Sequence, residues 1–220
     1  MENNPTMKIG ILGTGDVGQA LGAGLVALGH EVKLGGREAG NEKARAWAAR
    51  TGTHATIGTF ADAAAFGELI ILATLWRGTE NAIGLAGADR FAGKVVIDAT
   101  NPLAHTPGAP PSLALGHTDS GGEQVQRWLP AARIVKAFNT VGYAHMVKPQ
   151  FPDGPPDMFI CGNDPSAKSA VTDLLASLGW PAIDIGGIEG ARLLEPLCIL
   201  WVLYGIRTGG WNHAFKLLLK

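Results

Sequence analysis

Short apolar runs and helix-periodic stretches alternate along the chain from its first residues, the pattern of a parallel α/β sheet. Lys8 to Leu12 predicts a buried strand, and Val17 to Leu28 predicts a helix closed by Gly29. Glu31 to Leu34 predicts a second strand, followed by a helix from about Glu38 to Arg50. A short strand near Ala55 to Ile57, a helix around Phe60 to Phe66, a strand from Leu69 to Ala73, a helix from Gly78 to Ala88 and a strand from Val95 to Asp98 complete a regular alternation. This order predicts two mononucleotide-binding halves in a Rossmann-type, doubly wound parallel sheet.

The texture changes over residues 102–118, where prolines, glycines and two histidines stand without periodicity. A loop this long inside a domain is a lid or binding loop, or else a mobile segment. Ser120-Gly121-Gly122-Glu123 then gives a capping-box pattern before a helix carrying Val125 and Trp128. Arg133 to Ala137 predicts another strand, and a second proline-rich loop spans 149–156. A strand from Met158 to Cys161, a helix from Pro165 to Leu178 and a strand from Ala182 to Ile185 follow. From about Ala191 the tail is mostly helical and strongly apolar. No repeat or separating linker is present, so residues 1–220 are expected to form one domain. Its core is about 7–140, and a small C-terminal α/β and helical extension, about 141–220, is packed on it.

Composition narrows the class. The chain has 220 residues, of which 46% are hydrophobic and 17% charged, the balance of a globular protein. The formal net charge of −1 and pI near 6.6 argue against nucleic acid or an anionic membrane as partner, since both require a basic footprint. Cys161 and Cys198 sit in apolar runs and are read as buried, inert thiols. The opening Met1 to Thr6 is polar, without the basic and apolar segments of a secretory signal, and the longest apolar run, Leu197 to Ile206, is too short to span a bilayer. The expected compartment is the cytoplasm. Glycine is the outlier, with 31 residues, about twice the usual share of ~7%.

One glycine cluster carries chemistry. Gly13-Thr14-Gly15-Asp16-Val17-Gly18 fits G-x-G-x-x-G between a predicted strand and a predicted helix, the context that a dinucleotide-binding loop requires. Gly13 permits the tight turn, Gly15 the approach of a pyrophosphate, and Gly18 the packing of helix on strand. The free N–H groups and positive end of that helix hold the anion. NAD-binding proteins place an acid about 20 residues further on, at the end of the second strand. Here that stretch is Lys33-Leu34-Gly35-Gly36-Arg37, with no carboxylate before Glu38. A guanidinium suits a 2′-phosphate, so Arg37 points to NADP.

The reacting end of the cofactor is expected over the carboxyl ends of the later strands. Candidates there are Thr74 with Trp76 and Arg77, then Asn101-Pro102, then Phe138-Asn139-Thr140. Trp76 either stacks beside a ring or closes the core. Asn101 and Asn139 are read as bonding backbone or cofactor rather than performing chemistry. The histidines lack the i, i+4 spacing of a zinc site, and there is no C-x-x-C, G-x-S-x-G or P-loop lysine. His105 and His117, both in the long loop, are read as surface residues. No residue stands out as the acid/base that a hydroxy-acid dehydrogenase needs.

From end to end the sequence resembles the NADP oxidoreductases that use a deazaflavin, coenzyme F-420. The resemblance runs through Met7-Lys8-Ile9-Gly10, Gly13 to Gly18, Gly29-His30-Glu31-Val32 and Gly35-Gly36-Arg37. It continues through Asp98-Ala99-Thr100-Asn101-Pro102-Leu103, Val135-Lys136-Ala137-Phe138-Asn139-Thr140 and Phe159 to Asp164. It ends with Ala191-Arg192-Leu193-Leu194-Glu195 and His213-Ala214-Phe215-Lys216. The Lys-Ala-Phe-Asn-Thr and Ala-Arg-x-x-Glu blocks are more specific than the glycine loop. The NADPH domain of the six-transmembrane metalloreductases is similar as well.

The resemblance implies that Thr14, Gly15, Asp16 and Val17 touch the pyrophosphate, and Gly36 with Arg37 the 2′-phosphate. Thr74, Trp76, Ala137, Phe138 and Asn139 would surround the nicotinamide and the facing deazaflavin ring. The family usually has serine where this chain has Gly36, which removes one hydrogen bond to the phosphate. Arg192 and Glu195 are read as tying down the tail helix. The family forms homodimers, and the apolar Leu193 to Tyr204 suits such an interface; core burial accounts for it equally well. The implied activity is hydride transfer between NADP(H) and a deazaflavin co-substrate. The alternatives are NADPH-dependent reduction of a flavin, quinone or ferric acceptor, and an NADPH-binding sensor without turnover.

Overall fold

The structure, a computed structural model, describes residues 6–104, 106–218 and 220, so His105 lies outside the described residues. The first half is laid down as alternating strands and helices: β1 (Lys8–Leu12), α1 (Asp16–Ala27), β2 (Glu31–Gly36), α2 (Glu42–Thr51), β3 (Ala55–Thr59), α3 (Phe60–Phe66), β4 (Leu69–Leu72), α4 (Trp76–Ala86) and β5 (Val95–Asp98). The second half contains a two-residue hairpin, β6 (Leu103–Ala104) with β7 (Ser112–Leu113), then α5 (Gly121–Trp128), β8 (Arg133–Lys136), β9 (Met158–Gly162), α6 (Pro165–Ser177), β10 (Ala182–Asp184) and α7 (Ala191–Thr208).

Eight strands form one sheet in the order β10-β9-β8-β5-β4-β1-β2-β3. From β3 to β8 every neighbour is parallel, which is the doubly wound arrangement expected from the sequence. Ile9 and Ile11 of β1 and Ile70 and Ile71 of β4 are buried, as the continuous apolar runs require of strands covered on both faces. One face packs against α1, α2 and α6 through Leu21, Leu25, Trp47, Val171 and Leu174. The other packs against α3, α4, α5 and α7 through Ala63, Ile83, Val125 and Leu194.

Several boundaries differ from the sequence expectation, each with a local cause. β2 runs on to Gly36 because β3 continues to pair with it as far as Thr59. The helix after β2 starts at Glu42 rather than Glu38, because the Asn41 side chain accepts from the Ala44 N–H at 3.1 Å and fixes the N-cap there. Ser120 caps α5 by accepting from Glu123 N–H, but the Glu123 carboxylate does not return to the Ser120 N–H; it pairs with Arg192 instead. The C-terminal extension does more than pack on the core: β9 joins β8 antiparallel, and β10 follows β9 in parallel, so the sheet is lengthened at its edge. After α7 the chain returns without regular structure. Its Trp211 packs on Gly205, and the N–H of Leu217 donates to Asp157 at 2.7 Å.

Candidate active site

A cleft of about 780 Å³ opens at the carboxyl ends of β1, β2, β4 and β5. Its floor is the turn from β1 into α1. Gly13 has φ +132°, and a Cβ there would stand 2.2 Å from the Ala73 carbonyl oxygen, so only glycine fits. Gly18 lies one helical turn further on, where a Cβ would stand 2.2 Å from the Gly13 carbonyl; helix and turn are in direct contact. Gly15 is the N-cap of α1, no side chain caps that helix, and a Cβ on Gly15 would meet nothing within 4 Å. The first N–H groups of α1 therefore face the open cleft, ready for an anion.

Thr14, Asp16 and Val17 line the cleft beside Gly13 and Gly15. Thr14 is fixed through both ends: its carbonyl accepts from Gln19 Nε2 at 2.8 Å and its hydroxyl from Asn41 Nδ2 at 3.4 Å. Gly36 and Arg37 form the opposite end, at the terminus of β2. Arg37 is exposed, and among the described residues it has no carboxylate within 4 Å. Thr74 lines the wall after β4, its hydroxyl 2.8 Å from that of Thr79.

Other sequence candidates stand away from the cleft surface. Trp76 stacks on Trp128, ring centroids 5.4 Å apart and planes inclined by 28°, across the seam between α4 and α5. Asn101 and Asn139 bond each other: Asn101 Nδ2 donates to the Asn139 carbonyl at 2.9 Å, and Asn139 Nδ2 donates to Asn101 Oδ1 at 3.0 Å and to the Leu194 carbonyl at 2.9 Å. Pro102, Ala137, Phe138 and Asn139 are buried. Phe138 has φ +63° at the end of β8, a conformation that costs a bulky residue about 1–3 kcal/mol and is held by its burial. Its N–H points at Met158 Sδ, 3.1 Å away.

Sequence reasoning missed Glu38, Asn41, Phe60, Leu75 and Tyr143, all of which line the cleft. Asn41 left a signal, as a cap residue before a helical run. Tyr143 left none, because it arrives from a single turn (Tyr143–His145) beyond β8.

Behind the cleft lies a buried charge cluster. Lys136 Nζ is 2.9 Å from Asp98 Oδ2 and 2.7 Å from Glu195 Oε1, and it donates to the Thr100 carbonyl at 2.9 Å. The Glu195 carboxylate also accepts the Gly121 and Gly122 N–H groups at 2.9 and 3.0 Å, at the start of α5. Burial by itself would make the Lys136 ammonium easier to deprotonate; Asp98 and Glu195 outweigh it and hold the amine well above the ordinary lysine value. Arg192 reaches the Glu123 carboxylate, so both tail residues do tie α7 to α5. Burial pushes the Cys161 thiol up to about 12 and the Cys198 thiol to about 11, which keeps both protonated and unreactive at neutral pH. Among the described residues no group of His, Cys, Asp and Glu gathers to hold a metal ion, and no helix is long and apolar enough to cross a membrane.

The family model described as "NADP oxidoreductase coenzyme F420-dependent" matches residues 8–102. An F420-dependent NADP reductase from Methanocaldococcus jannaschii is 33% identical over 213 residues, covering 91% of this chain and 93% of its own. A solved structure from Arthrobacter sp. FB24, provisionally designated an F420-dependent NADP reductase, shares 39% identity with a TM-score of 0.91 over 97% of this chain and 100% of its own. The rat metalloreductase STEAP3 is 31% identical over 194 residues, and the chain spans 36% of its length. With a relative at this identity matched over nearly the whole of both chains, and the family model matching residues 8–102, the chain belongs to the coenzyme F420-dependent family of NADP oxidoreductases.

Proposed function

We propose that this chain transfers a hydride between NADP(H) and a deazaflavin coenzyme. The observation that carries the proposal is the cleft itself, in which an uncapped helix start and a guanidinium without a partner stand at the two places a phosphorylated dinucleotide needs positive charge. The residues fit such a group: the space in front of Gly15 is open, and among the described residues no carboxylate stands within 4 Å of Arg37. Gly13, Thr14, Gly15, Asp16 and Val17 would hold the pyrophosphate, with Gly18 shaping the turn. Gly36 and Arg37 would hold the 2′-phosphate. Thr74, Ala99 and Tyr143 would wall the reacting ring, while Ala137, Phe138, Asn139, Asn101, Pro102 and Trp76, which stand away from the cleft surface, would support that wall from behind.

The bound pair supplies the chemistry, a hydride exchanged between nicotinamide C4 and deazaflavin C5. The chain's residues supply position: holding two rings face to face is worth roughly 7–11 kcal/mol of barrier. A hydride passed directly between two rings needs no side chain to act as acid or base. The relatives named F420-dependent NADP reductases support the deazaflavin as partner. The similarity to STEAP3 favours a second reading, in which NADPH reduces a flavin, quinone or ferric acceptor. A homodimer is part of the proposal, joined through the exposed apolar face of α7.

The test is anaerobic absorbance of the purified protein with NADPH and oxidised deazaflavin. Enzyme-dependent bleaching of the deazaflavin is expected. NADPH binding without bleaching, together with turnover on a flavin or ferric acceptor, would transfer the assignment to the second reading. Binding without turnover on any acceptor would leave a sensor.

A further inference from the structure

The adenosine end of the cleft carries more charge than Arg37 alone. Arg77, in the first turn of α4, lines the same cleft from the opposite wall. The walls approach closely there: Arg37 Nη2 lies 3.8 Å from where a Cβ on Gly78 would stand. Both arginines are exposed, and among the described residues neither has a carboxylate within 4 Å. Glu38 lines this end as well, next to Arg37 in sequence and unpaired with either arginine. Gly36 contributes no hydroxyl. With Arg37 as the single cation, the adjacent carboxylate would offset it, and a phosphate near −2 would gain little over a bare ribose.

We propose that Arg77 is a specificity-determining residue, gripping the 2′-phosphate of the dinucleotide from the wall opposite Arg37. The proposal rests on the NADP reading given above. Two guanidiniums then outnumber one carboxylate, which restores preference for the phosphorylated cofactor at a site whose Gly36 and Glu38 weaken it. The fork geometry of arginine allows each to take different oxygens of one phosphate. Because both groups are solvated before binding, their attraction is screened by salt.

The experiment measures dissociation constants of NADPH and NADH by nucleotide fluorescence for the full chain and for Arg77→Ala, Arg37→Ala, Arg37→Ala/Arg77→Ala and Glu38→Gln, at low and high salt. Arg77→Ala is expected to weaken NADPH by about tenfold, the size of one charge-assisted hydrogen bond, and NADH by under about twofold. Its NADPH affinity should also depend less on salt. Glu38→Gln should tighten NADPH relative to NADH. The double variant should lose less than the product of the two single losses, since both arginines hold one group. Equal weakening of both nucleotides by Arg77→Ala, or no weakening, overturns the proposal while Arg37→Ala still separates them. If Arg37→Ala also fails to separate them, the 2′-phosphate reading itself falls.

Discussion

At the scale of single residues, three positions lead to predictions. Gly36 is glycine without a steric reason: a Cβ there would sit 3.4 Å from its nearest neighbours, the Glu38 carbonyl and Thr14 Cγ2, which is ordinary contact. Gly36→Ser should therefore leave the melting temperature unchanged and, by adding a hydroxyl at the phosphate end, tighten NADPH several-fold over NADH; fluorescence titration decides it. Gly18 is the opposite case. Gly18→Ala places a methyl against the Gly13 carbonyl, so α1 must shift off the strand, and we expect losses of both nucleotide affinity and a few kcal/mol of stability, measured by titration and denaturant melts. His30 gives a pH prediction. It is buried, its Nδ1 accepts the Met7 N–H at 3.2 Å, and burial lowers its pKa from the ordinary 6.5. Below pH 6.5 the unfolded chain takes up a proton that the folded one refuses, so stability falls as the pH drops through that value. The carboxylates held below their ordinary values, Glu123 through its hydrogen bond from Arg192 among them, act only further into acid, from about 4.5 down. Urea denaturation between pH 7 and 5 should show the decline, and His30→Gln should flatten it. The glycine roles were legible in sequence because spacing and flanking strand dictate them. The placement of Glu38 and Tyr143 was not, since neither belongs to a spacing rule and both reach the cleft only through the fold.

At the scale of elements, the cluster of Lys136, Asp98 and Glu195 joins four pieces that are remote in sequence: the ends of β5 and β8, the start of α5, and α7. Two carboxylates and one ammonium leave a residual negative charge, which the Gly121 and Gly122 N–H groups at the start of α5 offset. Lys136→Met would leave Asp98 and Glu195 buried and unpaired, and removal of one partner from such a cluster costs about 3–5 kcal/mol. Chemical denaturation of the variant should show a loss of that order, and the loops at Thr100 and Phe138 should lose protection in hydrogen exchange. The Lys-Ala-Phe-Asn-Thr and Ala-Arg-x-x-Glu blocks stood out in the sequence, and the tying role of Arg192 and Glu195 was legible as an expectation. Their partners were not. A lysine at the end of an apolar strand reads as a solvent-facing residue unless the two carboxylates 38 positions before it, at Asp98, and far beyond it, at Glu195, are already known to converge. Element boundaries failed for a related reason: the Asn41 cap competes with helix propensity from Glu38 onward, and a side-chain hydrogen bond decided the outcome.

At the scale of the whole molecule, the parallel run from β3 to β8 follows from the alternation of apolar runs and helices, and it was legible throughout. The reversal at β9 was not. A strand that enters through a proline-rich loop with no intervening helix can pair in either direction, and pattern alone does not choose. The apolar tail left two outcomes open, core burial or an interface, and α7 realises core burial on one side. Ala191, Leu194, Cys198 and Trp201 form its buried stripe, the first two in the core shared with the sheet and α5, and Trp201 against Gly142 and the returning Trp211 and His213. The opposite side would be polar in an ordinary surface helix, yet it carries Leu193 at 70% exposure, Leu200 and Tyr204 at 55% and Leu203 at 39%. On the homodimer reading this exposed apolar face is the contact surface, and the protein should sediment as a dimer at micromolar concentration. Leu200→Glu should shift it to monomer, because a C2 contact presents the substituted position from both copies. None of these side chains lines the nucleotide cleft, so NADPH affinity should stay as it was. Sedimentation of the unsubstituted protein as a monomer would remove the dimer, and loss of nucleotide binding in a folded Leu200→Glu monomer would show that the interface completes the site.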